Sequence, residues 1–545
     1  YADEGNGYIE TNAFQLPLPT TGAEAKAIKR ICYFDNHIKA LRFDPSDEAG
    51  GCGELSIKLV KLTKARAKAL MTKKLVAKAE GLRDDLGLLD LYKNYDELFN
   101  KPPAVSYQSW ISEYENRDSV LQGAFNSLAK IPLISIVCPV YNTKPQWLIA
   151  CIESVINQSY SNWQLILIDD ASTEKAHLEY LKKYQQNEPR VDVLYLDNNV
   201  HISAATNMGI DLAAGDYVTF LDHDDELASN ALAEMCLVIN AKPDIKIIYS
   251  DEDLISESGE RIAPHFKSDW NVELLRAHNY ITHLCCYEAG LLNTLGGMRM
   301  GYEGAQDYDL ILRASTVVDD SEVHHIAQIL YHWRMVEGST ALSADAKSYA
   351  TETGLKALKD HLQTINPAKQ AHHSDRTNFY TVKYPLPVKL PKVSIVIPTR
   401  DGLDVLKPCI NSLESITEYK NYEVIILDNG SLDKQTLLFL SELASKPNFK
   451  VIRDDGGFNY SRINNHAVKH VHADSELICL LNNDIEITQA DWLTEMVSVA
   501  IRPDIGCVGA KLVYPDGSIQ HAGVILGLGG YAAHSHRGIG FISRL

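Results

Sequence analysis

Three carboxylates follow a short apolar run in the first half of the chain. Residues 217–221 read Tyr-Val-Thr-Phe-Leu, and Asp222, Asp224 and Asp225 come directly after them. The run is typical of a short buried strand, and open α/β sheets bind ligands at the carboxyl ends of their strands. Carboxylate oxygens suit Mg²⁺ or Mn²⁺, and these ions keep coordination positions for substrate phosphates. Since an acidic cluster of this kind also occurs in solvated turns and helix N-caps, the motif alone leaves both interpretations open.

The strand before this cluster belongs to an alternation of strands and helices that begins near residue 133. Four apolar runs predict strands, at 134–139, 163–168, 191–196 and 217–221. Strands that alternate with helices imply a parallel sheet with right-handed crossovers. Asn142 and Asp170 follow the first two strands, so we expect them at the same sheet edge as the acidic cluster.

The same series of motifs occurs a second time. The strand that starts at Val393 matches the one at Ile134, an offset of 393 − 134 = 259, and Asp428-Asn429-Gly-Ser matches Asp169-Asp170-Ala-Ser at the same offset. Asn482-Asn483-Asp484 matches Asp222-His223-Asp224 at an offset of 260. Three motifs in the same order indicate two related modules.

The composition limits the classes of protein to which the chain can belong. With 545 residues, about two to four domains are expected. A net charge of −19 argues against a nucleic-acid groove and against broad adhesion to anionic lipid. The ten cysteines form no C-x-x-C pair, which favours a reducing compartment. No G-x-G-x-x-G follows the first strand of either module, which argues against a dinucleotide-dependent dehydrogenase.

The predicted domain order has five parts: a β-rich region at 1–75, a helical connector at 76–130, a first module at 131–341, a helical and extended linker at 342–390, and a second module at 391–545. The sequence shows no signal peptide and no apolar run of membrane-spanning length. It starts without an initiator methionine, and we expect it to be a piece of a longer chain.

Several runs resemble the landmarks of the inverting GT-A glycosyltransferases of family 2, in that family's order: Pro-Val-Tyr-Asn at 139–142, Asp-Asp-Ala-Ser at 169–172, Ile-Ser-Ala-Ala-Thr-Asn at 202–207 and Asp-x-Asp at 222–224. The runs at 249–253, 303–310, 331–334 and 457–461 are similar to those of multidomain bacterial O-antigen and rhamnan-type transferases. The resemblance implies an α/β fold of two tandem GT-A modules, the second with its nucleotide-binding half only.

The resemblance also implies an activity. It is the inverting, metal-dependent transfer of a sugar from a nucleotide-diphospho-sugar, a UDP- or dTDP-sugar, to a glycan or lipid-linked glycan of a growing surface polysaccharide. The implied location is the cytoplasm, with peripheral association at the inner face of the plasma membrane beside membrane-bound assembly machinery. The alternative is a sugar-nucleotide or glycan-binding scaffold in which one or both modules are catalytically silent.

Position by position, the resemblance assigns roles to residues of the first module. Asp307 would be the catalytic base, expected to be exposed at a helix N-terminus. Asp224 and Asp222 would hold Mn²⁺ or Mg²⁺, with His332 as a further ligand. The expected donor-binding residues are Pro139, Val140, Tyr141, Asn142, Asp170, Asn207 and Asp222. In the second module they are Pro398, Thr399, Asp428, Asn483 and Asp484.

Two positions depart from the family's pattern: Gln306 replaces a usual Glu beside the base, and His201 stands where small residues are common. Other features keep two interpretations from sequence. Asp307 also suits a helix N-cap, and Arg334 could serve a phosphate or pair with an acid. The acidic run at 251–253 could mark the acceptor side or form a solvated loop.

The spacing between the two acidic motifs bears on the second module. In the first module the proposed base lies 307 − 224 = 83 residues beyond the Asp-x-Asp. The same spacing from Asp484 gives position 567, which lies beyond residue 545. We therefore expect the second module to bind a nucleotide without catalysing transfer, unless an acid such as Asp516 serves as its base at a shorter spacing.

Overall fold

The computed structural model describes residues 2–3, 30–32, 40–41, 60–76, 91–92, 95, 106–115, 128–173, 175–335, 344–526 and 532–537. By compactness the chain divides into residues 107–508 and a unit formed by residues 1–106 and 509–545. Every helix among the described residues is either too short or too polar to cross a lipid bilayer.

The described part of residues 1–106 contains few elements. Strand β1 (Ala2–Asp3) pairs antiparallel with β2 (Ala40–Leu41), and helix α1 spans Lys64–Val76. Four apolar side chains form a small buried cluster: Met71, Leu75, Leu91 and Tyr95. Helix thus starts inside the range that the sequence predicts as β-rich, and most of that range and of the predicted connector lies outside the described residues.

A nine-stranded sheet lies at the centre of residues 128–335. Its strands are β3 (Ile134–Val140), β4 (Trp163–Asp169), β5 (Val191–Tyr195), β6 (Tyr217–Phe220), β7 (Glu226–Leu227), β8 (Ile247–Ile255), β9 (Arg261–His265), β10 (Cys285–Glu288) and β11 (Val323–Arg334). The spatial order is β5-β4-β3-β6-β10-β8-β11-β7, and β9 pairs with β8. Strands β5, β4, β3 and β6 are parallel, as the alternation predicts, whereas β10 runs antiparallel between β6 and β8.

Helices pack against both faces of this sheet. They are α2 (Tyr107–Tyr114), α3 (Pro145–Ile156), α4 (Lys175–Asn187), α5 (His201–Leu212), α6 (Ala231–Ala241), α7 (Val272–Ala277), α8 (Ala289–Leu295) and α9 (Gln306–Ala314). Since side chains alternate between the faces of a strand, Ile136 of β3 joins the core that contains α3, and Val137 joins the core that contains α5. Helix α5 approaches β3 closely at Gly209, where a Cβ atom would lie 2.4 Å from Val137 Cγ1.

The predicted linker folds as a helix and a hairpin. Helix α10 (Ala344–Ile365) is followed by β12 (Gln370–His373), which pairs antiparallel with β13 (Tyr380–Lys383). Leu358 of α10 and Tyr380 of β13 are buried in the same core as α9. The stretch after α10, which the sequence suggests to be irregular or extended, therefore contains a β-hairpin that packs against the first sheet's helices.

A second, smaller sheet repeats the arrangement of the first four strands. Its strands are β14 (Lys392–Thr399), β15 (Tyr422–Asp428), β16 (Phe449–Arg453) and β17 (Ser475–Leu480), and its helices are α11 (Leu403–Ile416), α12 (Lys434–Ala444), α13 (Tyr460–Val468) and α14 (Trp492–Ala500). All four strands are parallel in the order β16-β15-β14-β17, the counterpart of β5-β4-β3-β6. The repeat seen in the sequence is therefore also a repeat of topology.

The repeat extends to the loops at the strand ends. Ser172 Oγ accepts a hydrogen bond from the Asn142 amide at 3.0 Å, and Ser431 Oγ accepts one from the Asp401 amide at 2.7 Å. Asn142 and Asp401 both adopt a positive φ, 47° and 51°. Equivalent positions thus share backbone conformation even though the residue type differs between Asn142 and Asp401.

Two short hairpins occur among the described residues of 509–537. Strand β18 (Leu512–Val513) pairs with β19 (Ile519–His521), and β20 (Val524–Leu526) pairs with β21 (Ala532–His534). Asp516 lies in the turn of the first hairpin, where its carboxylate accepts hydrogen bonds from the amide and the hydroxyl of Ser518.

Candidate active site

The turn after β6 carries the acidic cluster, and its most buried member is Asp225. The Asp225 carboxylate accepts hydrogen bonds from Tyr331 Oη at 2.5 Å and from the Arg334 amide at 2.7 Å. Burial, together with the nearby charges of Asp222 and Asp224, raises the pKa of Asp225 well above its usual range. Both partners lie on β11, so Asp225 joins the turn to that strand.

Asp224 and Asp222 are more accessible than Asp225, with side chains 20% and 42% exposed. Partial burial raises the pKa of Asp224, and the neighbouring His223 opposes that rise. Arg334 donates from Nε to the Asp224 carbonyl oxygen at 2.8 Å and forms an ion pair with Glu226. The sequence left two interpretations open for Arg334. In the structure it pairs with an acid, Glu226.

His283 lies beside Asp222, and no sequence motif singles it out. Its Nε2 is 3.8 Å from Asp222 Oδ2, and its ring stacks on Tyr331 with centroids 4.6 Å apart. Asp222, Asp225 and His283 each offer a ligand atom, and these atoms lie within 4.8 Å of one another. Octahedral ligands about 2.1 Å from an ion are about 3 Å apart when adjacent and about 4 Å apart when opposite. The 3.8 Å between Asp222 Oδ2 and His283 Nε2 lies between these two values, which makes this group a candidate cation site.

A buried ion pair holds the loop that carries His283, residues 278–284. Lys267 Nζ lies 3.3 Å from Glu252 Oε2 and donates to the carbonyl oxygens of Ile281 and His283. Glu252 in turn accepts from the His283 amide at 3.2 Å and from Thr282 Oγ1 at 2.9 Å. Burial alone would raise the pKa of Glu252, but the Lys267 charge and a hydrogen bond from His265 lower it to about 2.

The acidic run at 251–253 therefore lies inside β8, and all three carboxylates are buried and paired. Asp251 contacts His325 at 2.8 Å, and Asp253 contacts His332 Nδ1 and Arg261 Nε, both at 2.6 Å. A solvated loop, one of the two interpretations left open by the sequence, is not what the structure contains.

Asp307 is the second residue of α9. Asn279 Nδ2 donates to Asp307 Oδ2 at 2.7 Å. Burial raises the pKa of Asp307, His283 opposes the rise and Asp222 adds to it, so these three groups lie within electrostatic reach of one another. The side chain is half-buried, where exposure was expected, and the N-cap position of α9 belongs to Ala305.

Asp309, two residues further, has a different environment. It is 1% exposed and forms ion pairs with Arg299 and Arg313. Its carboxylate is therefore already occupied by two guanidinium groups, whereas Asp307 has one amide donor. The two acids thus have different environments, although they lie only two residues apart in the same helix.

His332 lies outside the group formed by Asp222, Asp225 and His283. Its Nδ1 is 2.6 Å from Asp253, which also accepts from Tyr107 Oη of α2 at 2.6 Å. The role of His332 as a metal ligand stays a prediction.

The residues expected to bind the donor follow β3 and β4. Pro139 and Val140 are the last residues of β3, and Tyr141 is 45% exposed. Asn142 Oδ1 accepts from the Thr173 amide at 2.9 Å, and Asp170 Oδ1 accepts from the Val200 amide at 2.7 Å. Because β4, β3 and β6 are neighbours, Asp170, Asn142 and the acidic cluster follow the carboxyl ends of adjacent strands.

Two residues singled out in the sequence, Asn207 and His201, lie in α5. Asn207 is bonded at both ends of its amide to the backbone of Met298, each time at 2.8 Å, so it links α5 to the segment before α9. His201 starts α5 with a positive φ of 66° and is exposed.

The second sheet has equivalent positions with altered chemistry. The residue in the place of Asp170 is Asn429, whose Nδ2 donates to the carbonyl oxygen of Gly456 at 2.8 Å. Asp428 is buried and paired with Arg453 at 2.6 Å. Pro398 and Thr399 end β14, Asn483 Nδ2 donates to Thr399 Oγ1 at 3.0 Å, and Asp484 is exposed.

The family model described as glycosyl transferase family 2 matches residues 135–292 and 394–526, more than half of the chain. The chain belongs to glycosyl transferase family 2. The two matched segments cover the four parallel strands of each sheet, and the protein is a glycosyltransferase with an α/β fold of GT-A type, as the resemblance implied.

Two relatives of this family 2 glycosyltransferase cover most of it. An uncharacterized protein, y4gI, of Sinorhizobium fredii is 44% identical over 466 residues, which are 84% of this chain and 50% of the relative. The O-antigen biosynthesis protein RfbC of Myxococcus xanthus is 38% identical over 440 residues, which are 80% of this chain and 34% of the relative. The chain thus spans half or less of the length of these relatives.

Among solved structures, S. aureus TarS in complex with UDP-GlcNAc matches with a TM-score of 0.35 and 16% identity, over 42% of this chain and 66% of the other.

Proposed function

We propose that this glycosyltransferase moves a sugar from a UDP- or dTDP-sugar to a growing bacterial surface polysaccharide with inversion, and that residues 131–341 carry the activity. The observation that supports this most is that one loop, 278–284, contacts both Asp307 and Asp222: Asn279 donates to Asp307 at 2.7 Å, and His283 lies 3.8 Å from Asp222. It brings a candidate base and a candidate diphosphate site together. The similarity to a relative named for O-antigen biosynthesis supports the polysaccharide class of acceptor.

The donor's nucleobase would be bound at the ends of β3 and β4. Asp170 is buried and has one oxygen engaged by the Val200 amide, so its second oxygen could accept from a base N–H group. The backbone at Val140 to Asn142, which Ser172 holds in a fixed conformation, would line the same pocket.

The diphosphate would lie at the acidic cluster. Asp222 and His283 have the spacing for a shared Mn²⁺ or Mg²⁺ ion, and Asp224 is the partly exposed carboxylate beside them. When bound, such an ion stabilises the negative charge that develops on the departing diphosphate. Because the chain has a net charge of −19, an anionic donor needs a local positive charge, such as this ion, to bind.

Asp307 would take the proton from the attacking hydroxyl of the acceptor. Inversion requires a base on the face opposite the leaving group. Asn279 orients the carboxylate through a hydrogen bond to Oδ2. The raised pKa of Asp307 strengthens it as a base, provided that it is deprotonated at the working pH.

The test compares Asp307→Asn with Asp309→Asn. Asp307→Asn retains size and a hydrogen-bonding group but cannot accept the proton, so transfer should fall by about 10²–10⁴-fold while donor binding persists. Asp309→Asn should instead lower stability, because Arg299 and Arg313 lose their anionic partner. Wild-type transfer rates in Asp307→Asn, measured with a panel of UDP-, dTDP- and GDP-sugars and Mn²⁺, would contradict the assignment.

The metal site has its own test. Asp224→Ala should abolish the Mn²⁺-dependent part of donor binding measured by calorimetry. Unchanged affinity would show that Asp224 does not hold the ion. His332→Ala tests whether the ion is held by His332, as the resemblance implies, or by His283. The His332 ring is already bonded to Asp253.

For residues 391–545 we propose nucleotide binding without transfer, which corresponds to the alternative of a catalytically silent binding module. Support comes from Asn482, Asn483 and Asn429, which replace acidic or basic groups of the first sheet by amides. In an Asp307→Asn background no transfer should remain. Residual transfer that disappears on adding Asp484→Ala would show a second active site.

We further propose a cytoplasmic protein that associates peripherally with membrane-bound assembly machinery and uses a glycan or lipid-linked glycan acceptor. Co-sedimentation with inner-membrane vesicles that carry the assembly machinery, and its absence with protein-free vesicles, is the expected result.

A further inference from the structure

Helix α7 is held by side chains from the linker hairpin region and from the second half of the 107–508 unit. Glu273 of α7 accepts from Arg502 Nη2 at 2.8 Å, from Arg276 Nη1 at 2.7 Å and from the Tyr384 hydroxyl. Arg502 follows α14, is 16% exposed, and lies over the Tyr384 ring at 4.9 Å. We call these four residues the Glu273 cluster.

The Glu273 cluster is charged at neutral pH. Partial burial acts to raise the pKa of Glu273, but the hydrogen bonds from Arg502 and Tyr384 hold it below its usual range. Charge-assisted hydrogen bonds of this kind are shorter and stronger than neutral ones. Arg502 therefore contributes a fixed link between α7 and the segment after α14.

Helix α7 in turn contacts the residue next to the candidate base. The carbonyl oxygen of Leu275, inside α7, accepts from the Tyr308 hydroxyl at 2.7 Å, and Tyr308 is the residue after Asp307. Asn279, two residues beyond the helix, donates to Asp307 itself. A shift of α7 would therefore move the groups that orient Asp307.

The 278–284 loop that continues from α7 has one support at each end. At its far end, Lys267 and Glu252 bond the backbone of Ile281 and His283. At its near end, the ring of His278 lies 4.4 Å from that of Phe379, and α7 is held by the Glu273 cluster. The far support belongs to the first sheet, whereas Arg502 belongs to the second repeat.

We propose that Arg502 is a positioning residue: through Glu273 the second repeat holds α7, and with it Asn279 and His283, in the arrangement that the first site uses. The proposal rests on the proposed function only in treating Asp307 and His283 as site residues. It assigns residues 391–508 a role in the first active site whether or not they bind a nucleotide of their own.

Hydrogen exchange of the 278–284 loop tests the proposal without any donor or acceptor. Three amides there have defined partners: His278 bonds Leu274 O at 3.0 Å, Thr282 bonds Asn279 Oδ1 at 3.4 Å, and His283 bonds Glu252 Oε2 at 3.2 Å. In Arg502→Met these amides should exchange about tenfold faster, which equals about 1.4 kcal/mol of local opening. Peptides from β3 and β4 should be unchanged.

Two variants of the same ion cluster serve as controls. Asp504 pairs with Arg502 at 2.6 Å, so Asp504→Asn alters a neighbour and leaves the Arg502–Glu273 bond in place. Its exchange should match the wild type. Arg502→Lys keeps the charge and should restore most of the protection. If Arg502→Met fails to fold, Glu273→Gln tests the same bond from the other side, with the same expected acceleration.

Exchange in the 278–284 loop that is the same in Arg502→Met, Glu273→Gln and the wild type would overturn the proposal. A separate calorimetric measurement of UDP binding with Mn²⁺ distinguishes it from the proposed function. Faster exchange with reduced UDP affinity supports both. Faster exchange with unchanged affinity supports the link through Glu273 and contradicts the placement of His283 at the diphosphate site.

Discussion

Replacing Lys267 by methionine tests the buried ion pair beneath the candidate metal site. The Lys267 side chain is fully buried, and its ammonium group is bonded to Glu252 and to two carbonyl oxygens of the 278–284 loop. Methionine fills similar space without the charge. The variant therefore leaves the Glu252 carboxylate buried and without its cation.

The size of the effect follows from the pKa of Glu252, which falls from 4.5 to about 2 in the folded protein. That difference corresponds to about 3 kcal/mol at neutral pH. Burial lowers the pKa of Lys267, and the cost of burying the amine offsets part of this gain. Removing one partner of a buried pair also leaves the other uncompensated, so Lys267→Met should lose about 3–5 kcal/mol of stability at pH 7.

The loss should depend on pH in a defined direction. A carboxyl group whose folded pKa is depressed adds stability above its unfolded value, and that contribution is lost as pH falls through the folded value. The difference between wild type and Lys267→Met should therefore shrink as pH falls from 4.5 toward 2. Urea unfolding followed by tryptophan fluorescence at several pH values measures it.

Two further variants control this experiment. Lys267→Met combined with Glu252→Gln removes both charges and should be more stable than Lys267→Met alone. Lys246→Met breaks an exposed pair with Glu322 and should have little effect, since surface ion pairs contribute little. A loss below about 1 kcal/mol in Lys267→Met at pH 7, or one independent of pH, would refute the reasoning about a buried pair.

Other positions give shorter predictions. Because burial raises the pKa of Asp307, the transfer rate should rise with pH through a midpoint above that of an ordinary aspartate, and a pH–rate profile without that limb would contradict its role as base. Gly209→Ala should cost about 1–3 kcal/mol in thermal unfolding, because the new Cβ would lie 2.4 Å from Val137 Cγ1 and 2.7 Å from Ile168 Cδ1. Asp225→Asn should lower stability because it changes the bonds to Tyr331 and the Arg334 amide. Asp224→Asn should weaken donor binding at unchanged stability. Equal effects of the two variants on stability would contradict this difference in roles.

The local sequence pattern accounts for the strands, for their parallel orientation and for the internal repeat. Apolar runs of five or six residues alternate with amphipathic helices, and this periodicity depends on neighbours in the chain. The position of Asp222 after β6 follows from the same pattern, because a strand's carboxyl end can be recognised from the run itself. The antiparallel β10 and the hairpin β12–β13 carry weaker signals, since Cys285–Glu288 and Gln370–His373 are short and partly polar.

The site's partners depend on tertiary contacts between distant parts of the chain. His283 lies 61 residues from Asp222 in sequence, and nothing in its local context marks it as a neighbour of that carboxylate. Arg334 and Glu226, separated by 108 residues, meet because β11 pairs with β7. The acidic run at 251–253 could mark the acceptor side or form a solvated loop by sequence, and it is buried because Lys267, His325 and His332 converge on it from other elements. Local periodicity is enough to predict which strand ends carry polar groups. Which charges neutralise one another depends on the fold, because a buried charge needs partners that distant segments bring within about 3 Å.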